Sequence, residues 1–225
     1  MKAMILAAGR GSRMGALTRD LPKPLLTVGG QPLIVWQLRR LAKAGIKEVV
    51  INVAYLGEKI IAALGDGQRY GMHIVYSEEG ARGLETAGGI INALPLLGEE
   101  PFLVVNADVW CALDYQVLIA HYPNTLAHLV LVETPEWKET GDFDLNEGRV
   151  SLGARYTFAG ISIMQAALFS GLSAQFLPLA PLLRQTIAKT TISGVYFAGD
   201  WLDVGTPERL AAAQKRFDDH VVMLT

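Results

Sequence analysis

Residues 9–13 read Gly-Arg-Gly-Ser-Arg, directly behind an apolar run, and the polar stretch that follows them closes on Pro22-Lys23-Pro24. Amides of a Gly-rich turn behind a first strand converge readily on an anion, and phosphate is the commonest one. Arg13 adds a planar fork of donors and Lys23 a point charge. The prolines restrict the backbone on both sides of Lys23, which favours an anchored charge over a merely solvated turn. Two further positions suit a hard divalent cation, the usual companion of phosphate chemistry. One is Asp108, just past the apolar run 102–105, where Asn106 and Asp108 share a side if the strand persists. The other lies in the segment Asp200-Trp201-Leu202-Asp203, where either aspartate qualifies. For each aspartate helix capping is the alternative, Asp108 for a helix beginning near Leu113.

Two common phosphate templates fail. Met14 stands where the dinucleotide fingerprint needs its third glycine, and no Gly-Lys-Ser/Thr follows the turn, so a Walker loop is excluded. A glycosyltransferase built on a sheet-end carboxylate would present Asp-Xaa-Asp, whereas the chain has Asn106-Ala107-Asp108.

The elements that must position these groups alternate. Apolar, strand-like runs occur at 3–7, 48–53, 73–76, 101–105 and 128–132, and the intervals between the earlier ones carry helical periodicity at 31–44, 56–64 and 86–97. In the first helix Leu33, Ile34, Leu38, Leu41 and Ala42 share a face, and Gly45 ends it. Pro95 falls near the end of the third. Beyond Glu133 the pattern turns denser, with strands at 143–145, 150–152, 157–164 and 192–197 and helices at 179–188 and 206–217. This is an α/β chain with a Rossmann-like mixed, mainly parallel sheet and flanking helices. No Pro/Ser-rich linker or repeat interrupts it, so residues 1–225 are expected to form a single domain.

With 51% hydrophobic residues the chain can bury a substantial core, and a net charge of −2 without basic clusters excludes a nucleic-acid or anionic-membrane footprint. The lone Cys111 forbids an intramolecular disulfide and fits a reducing compartment; no motif surrounds it as a nucleophile. The apolar start at 1–8 stops at Gly9, too soon for a signal peptide or a span, so a cytoplasmic protein is expected. His73, His121, His128 and His220 lack ligand spacing.

Gly9-Xaa-Gly11-Ser12-Arg13 with Pro22-Lys23 resembles the signature of the sugar-1-phosphate nucleotidylyltransferases. Leu84-Glu85-Thr86-Ala87-Gly88-Gly89, Val104-Val105-Asn106-Ala107-Asp108 and Trp201-Leu202-Asp203-Val204-Gly205-Thr206-Pro207 agree with it in order, from residue 3 to about 215. The resemblance implies transfer of a nucleoside monophosphate, from UTP, to a sugar 1-phosphate, with Mg2+ on Asp108 and Asp203; it is the Asp-Val-Gly-Thr match alone that selects Asp203 over Asp200. It further implies that Arg13 holds the departing pyrophosphate and Lys23 neutralises charge at the α-phosphorus. Ala8, Gly9, Gly11 and Ser12, together with Glu85, Thr86 and Gly88, would bind the nucleotide, though Thr86 is also a plausible N-cap and Gly88 and Gly89 could serve helix packing. Thr157-Phe158-Ala159-Gly160-Ile161 looks like the acceptor strand, with Gly160 sparing space for the sugar ring and Asn106 and an exposed Asp142 as hydrogen-bonding partners. The chain departs from the larger thymidylyl and guanylyl enzymes in lacking Glu-Lys-Pro before that strand; no lysine occurs between Lys138 and Lys189, and Arg155 is the candidate substitute. These features point to an N-acylated hexosamine 1-phosphate as acceptor. A glucose- or mannose-1-phosphate thymidylyl- or guanylyltransferase, a choline-phosphate cytidylyltransferase and a non-catalytic nucleotide-sugar-binding regulator are the competing readings, the last opposed by the intact Arg13, Lys23, Asp108 and Asp203.

Overall fold

The computed structural model describes residues 1–80 and 82–224. Strand β1 (Ala3–Leu6) leads through two 3-10 segments to the ribbon β2 (Thr27–Val28) and β3 (Gln31–Pro32), then α1 (Leu33–Lys43), β4 (Glu48–Val53), α2 (Gly57–Leu64), β5 (His73–Glu78), α3 (Glu85–Leu97) and β6 (Phe102–Asn106). After β7 (Val109–Cys111) and α4 (Tyr115–Ala120) come β8 (Ala127–Glu133), β9 (Phe143–Asn146), β10 (Arg149–Leu152), β11 (Tyr156–Met164), α5 (Leu179–Ile187), β12 (Ile192–Tyr196), β13 (Trp201–Asp203) and α6 (Pro207–Leu224). Nine strands form one mixed sheet in the order β5-β4-β1-β6-β11-β8-β12-β10-β9. The half β5-β4-β1-β6 is parallel, and β11 runs antiparallel between β6 and β8.

The alternation of the strands is visible in their packing. Ala3 and Ile5 face one core with α1 and α2, while Met4 faces the other with α3 and α5. Burial of a side chain the size of Ile5 or Met4 contributes roughly 1.5–3 kcal/mol. The helix expected from residue 31 begins at Leu33 because Gln31 and Pro32 pair with Val28 and Thr27 instead. Gly45, at φ 80°, ends it, with Ile46 N donating to Leu41 O at 3.0 Å. The helix near Leu113 begins at Tyr115 and is capped by Asp114, whose side chain accepts from Gln116 N at 2.8 Å; Asp108 plays no capping part. Ribbon β7–β13 has no counterpart in the sequence pattern, since three-residue strands carry no periodicity.

His128 is buried where β8 meets β12, its Nδ1 2.8 Å from Ser193 Oγ. Burial holds its pKa below the usual 6.5. The unfolded chain therefore takes up this proton first, and stability is lost as pH falls from 6.5 toward the depressed folded value. Thermal melts between about pH 7.5 and 5.5 should fall more steeply for the wild type than for His128→Asn; parallel curves for the two would refute this.

Candidate active site

Parallel strands present their C-terminal ends on one edge, and the crevice opens where successive connections diverge to opposite sides of β1. Leu6 at the end of β1 stands in register with Asn52 of β4 and Asn106 of β6. A cavity of about 640 Å3 spans these ends. Its floor is the chain from Leu6 to Arg13, and its wall includes Lys23, Asp108, Glu85 and Thr86.

The Gly-rich turn is folded on itself. Met14 N and Thr18 Oγ1 both donate to Gly11 O, at 2.9 and 3.0 Å, and Met14 is buried. Gly11 holds φ +66°, and a Cβ there would lie 3.0 Å from Lys23 Cβ, so this glycine lets the turn lie against the lysine. At Gly9 a Cβ would meet no protein atom within 4 Å, so space remains over the amides. Lys23 starts a 3-10 turn between its prolines, with Leu25 N donating to Pro22 O at 2.9 Å. The lysine is 8% exposed and forms an ion pair with Asp108.

Asp108 and Asp203 meet through ribbon β7–β13. Asp203 is in register with Val109, and Val204 N donates to Asp108 O at 2.9 Å. Gln37 of α1, fully buried, donates to Val109 O and accepts from Tyr115 Oη at 2.7 Å, which fixes β7 on the main body. Burial raises the pKa of Asp203, and repulsion from Asp108 raises it further against the pull of Lys23, Arg209 and Arg13. Arg209 Nη1 lies 3.1 Å from Asp203 Oδ2. Asp200 is excluded from this cluster, because Arg216 and Trp110 Nε1, the latter at 3.2 Å, hold its carboxylate. Two half-buried carboxylates that repel each other beside open space suit a magnesium-like cation, which takes one or two protein carboxylates and completes its octahedron with phosphate and water oxygens. Among the described residues no cluster of three or more His, Cys, Asp or Glu competes for that role.

A second cavity, of about 400 Å3, adjoins the first and shares Arg13 and Asn106 with it. Asp142, Gly160 and Asp203 line it, together with Trp137, Lys138 and Trp201. Asp142 is half-buried rather than exposed: it pairs with Lys138 at 2.6 Å and accepts from Phe158 N at 3.0 Å. Trp137 stacks on Trp201 with centroids 6.5 Å apart, Arg209 lies over Trp137 at 4.1 Å, and Trp201 Nε1 donates to Ala159 O at 2.9 Å. Gly160 also makes room for a neighbouring side chain. It holds φ +72° at an irregularity in the β11–β8 pairing, and a Cβ would lie 2.5 Å from Asn106 Nδ2. Gly160→Ala should therefore cost about 1–2 kcal/mol in the backbone alone and push Asn106 out of the wall between the cavities. A lower melting temperature together with a raised KM for the sugar 1-phosphate that the resemblance implies is the expected pair of results, and an unchanged KM would detach Gly160 from acceptor binding. Arg155, the candidate substitute for the missing lysine, lies over Tyr156 at 4.9 Å and lines neither cavity; Lys138, on the turn before β9, lines the second cavity instead.

At the opposite end Ala7 N donates to Asn52 Oδ1 at 2.7 Å, Asn52 Nδ2 to Glu79 Oε1 at 2.6 Å, and Leu84 N to Glu79 Oε2 at 2.8 Å. This relay ties the end of β1 to the start of α3, and burial raises the pKa of Glu79. An asparagine inside the apolar run of β4 was its only sequence signal. Glu85 opens α3 with φ 61°, an uncommon conformation for a side-chain-bearing residue. Leu84, not Thr86, is the N-cap, and Thr86 lines the cavity from inside the first turn. Gly88 lines neither cavity: its amide donates to Leu177 O at 3.1 Å, and a Cβ would strike Gln175 O.

A Gly-rich turn behind the first strand of a parallel half-sheet, an anchored lysine and two facing aspartates form an arrangement suited to nucleotidyl transfer. Residues 2–144 match the nucleotidyl transferase family model, and the chain belongs to that family. It is 50% identical, over 95% of its length and 97% of the relative's, to the N-acetylmuramate alpha-1-phosphate uridylyltransferase of Neisseria meningitidis. It is 36% identical to the protein of the same name from Caulobacter vibrioides, over 95% of this chain and 96% of that one. A candidate glucose-1-phosphate thymidylyltransferase from Bacillus anthracis, solved with sucrose, superposes with TM-score 0.87 at 21% identity, covering 96% of this chain and 94% of that one, a likeness of fold. No helix among the described residues is long and apolar enough to cross a membrane.

Proposed function

We propose that the chain transfers the uridylyl group of UTP to N-acetylmuramic acid 1-phosphate with release of pyrophosphate, in the cytoplasm, as a step of peptidoglycan recycling. Residues 1–225 would act as one domain around the nine-stranded sheet. The observation that carries this reading is the junction of the two cavities, where Arg13 and Asn106 line both and the Asp108–Asp203 pair stands between them. The names of the relatives from Neisseria meningitidis and Caulobacter vibrioides supply the base and the sugar.

The acceptor phosphate is already an oxyanion, so the chemistry needs no protein nucleophile. One of its oxygens forms a bond to the α-phosphorus of UTP, the bond from that phosphorus to the bridging oxygen breaks, and pyrophosphate leaves in line with the electron pair. Alignment of two anions and stabilisation of the developing charge are what the protein must provide. The amides of residues 8–12 bind the triphosphate, and Arg13, exposed and reaching both cavities, grips the pyrophosphate. Lys23, held between two prolines, moves from Asp108 toward charge at the α-phosphorus. Asn106 and the Asp142–Lys138 pair meet the hydroxyl and amide groups of the sugar, where a missing partner group would leave buried polar atoms unpaired. Asp108 and Asp203 would hold Mg2+, which when bound screens the repulsion between the two phosphates.

Pyrophosphate release over a matrix of the four nucleoside triphosphates and several sugar 1-phosphates tests this directly. UTP with N-acetylmuramic acid 1-phosphate should be best and glucose 1-phosphate poor. Equal rates on those two sugars, or transfer to phosphocholine alone, would overturn the acceptor assignment.

A further inference from the structure

Phe176 is 67% exposed, more than any other large hydrophobic side chain among the described residues, yet it lines the larger cavity beside Glu85 and Thr86. A lone exposed apolar side chain is ordinary. What distinguishes this one is the rigidity of its backbone. Leu177 N donates to Leu84 O at 2.9 Å, and Ala87 N and Gly88 N donate to Leu177 O at 3.0 and 3.1 Å, so the segment is clasped to the first turn of α3. Gly88 is what allows that approach, since a Cβ there would strike Gln175 O. The neighbouring Leu177 packs into the core beneath. The chain thus uses orphan amides of a helix N-terminus and a glycine to hold an aromatic ring in water at the mouth of a cavity.

The position of the ring within the cavity selects its partner. Arg13, Lys23 and Asp108 lie at the β6 side, where charge must be handled, while Glu79, Glu85 and Phe176 lie at the β5 side and the start of α3. A triphosphate gripped at the first end extends its nucleoside toward the second. We infer that Phe176 is the stacking platform for the nucleobase, covering the face of the ring while backbone and amide groups meet its edge. This rests on the proposed nucleotide site. Every base offers a π-face, so the contact adds affinity without choosing among bases, and such stacking is worth about five- to a hundredfold in binding.

Binding is measured by calorimetry for UTP, CTP and inorganic tripolyphosphate, with Mg2+ present, on the wild type, Phe176→Ala and Phe176→Tyr. Phe176→Ala should weaken UTP and CTP by the same factor, about tenfold, and leave tripolyphosphate unchanged, while Phe176→Tyr keeps wild-type affinity. In Phe176→Trp the indole fluorescence should be quenched by UTP and not by tripolyphosphate. Equal weakening of tripolyphosphate, or unaltered UTP affinity in Phe176→Ala, would overturn the stacking role while leaving the transferase reading intact. A wild type that binds tripolyphosphate but no nucleoside triphosphate more tightly would overturn both.

Discussion

Asp203→Asn should lower turnover by more than about a hundredfold while leaving the melting temperature at or above that of the wild type. The two halves of this expectation have separate causes. Asp203 carries a raised pKa because burial and Asp108 both disfavour its charge, so removing the charge relieves repulsion in the ligand-free protein. The asparagine still accepts from Arg209. A hard cation held by the proposed pair would, however, lose one of its two carboxylates, and the loss would fall on the transition state, where negative charge is shared between attacking and leaving oxygens. A hundredfold corresponds to about 2.7 kcal/mol, modest for the removal of a metal ligand. Asp108→Asn should act alike in rate but lower the melting temperature, because it strips Lys23 of its partner. Near-normal turnover in folded Asp203→Asn would break the proposed metal pair.

The second large effect belongs to Lys23→Ala. With the amine gone, kcat should fall by about two to three orders of magnitude, as for loss of one preorganised charge contact, while KM for UTP changes only a few-fold. That split follows from a charge required mainly as the α-phosphorus is attacked; a lysine that merely anchored the triphosphate would raise KM and spare kcat. The ligand-free protein loses stability as well, since Asp108 is left half-buried beside Asp203 without its counterion. Single-turnover rates at saturating UTP, set beside thermal melts, separate the two consequences.

What could be read in advance follows the range of the interactions involved. Elements with a strong period, such as β4 and α1, match their expected limits to within two residues, because alternation and helical spacing are local properties. The Gly-rich turn and the proline-flanked lysine stand out for the same reason: their glycines, arginine and prolines lie close in sequence. The choice of Asp203 over Asp200 was not physical at that stage. It becomes so only when Arg216 and Trp110 are seen to occupy Asp200 and the register of β13 on β7 sets Asp203 beside Asp108. Lys138, Arg209, Glu79 and Phe176 escaped notice because each acquires its place through partners distant in the chain. Arg155 drew attention as a cation near the acceptor strand, yet it sits on the bend before β11 and its guanidinium settles on Tyr156. Gly160 lines the second cavity, and its missing side chain leaves room for Asn106, a contact across strands that the sequence does not display.

The placement of β11 between β6 and β8 has a bearing on how the polypeptide leaves the ribosome. Both neighbours precede it in the chain, and neither pairs with the other. When residue 133 has emerged, β6 has only β1 on one flank, and β8 has no sheet partner at all, because β12 is also still to come. The facing edges of β6 and β8 therefore stay open to other nascent chains until Met164 has cleared the exit tunnel, and the far edge of β8 until Tyr196 has done so. Faster elongation shortens that interval and slower elongation lengthens it, so the strand order ties the exposure of these edges to the rate at which residues 133–164 are made.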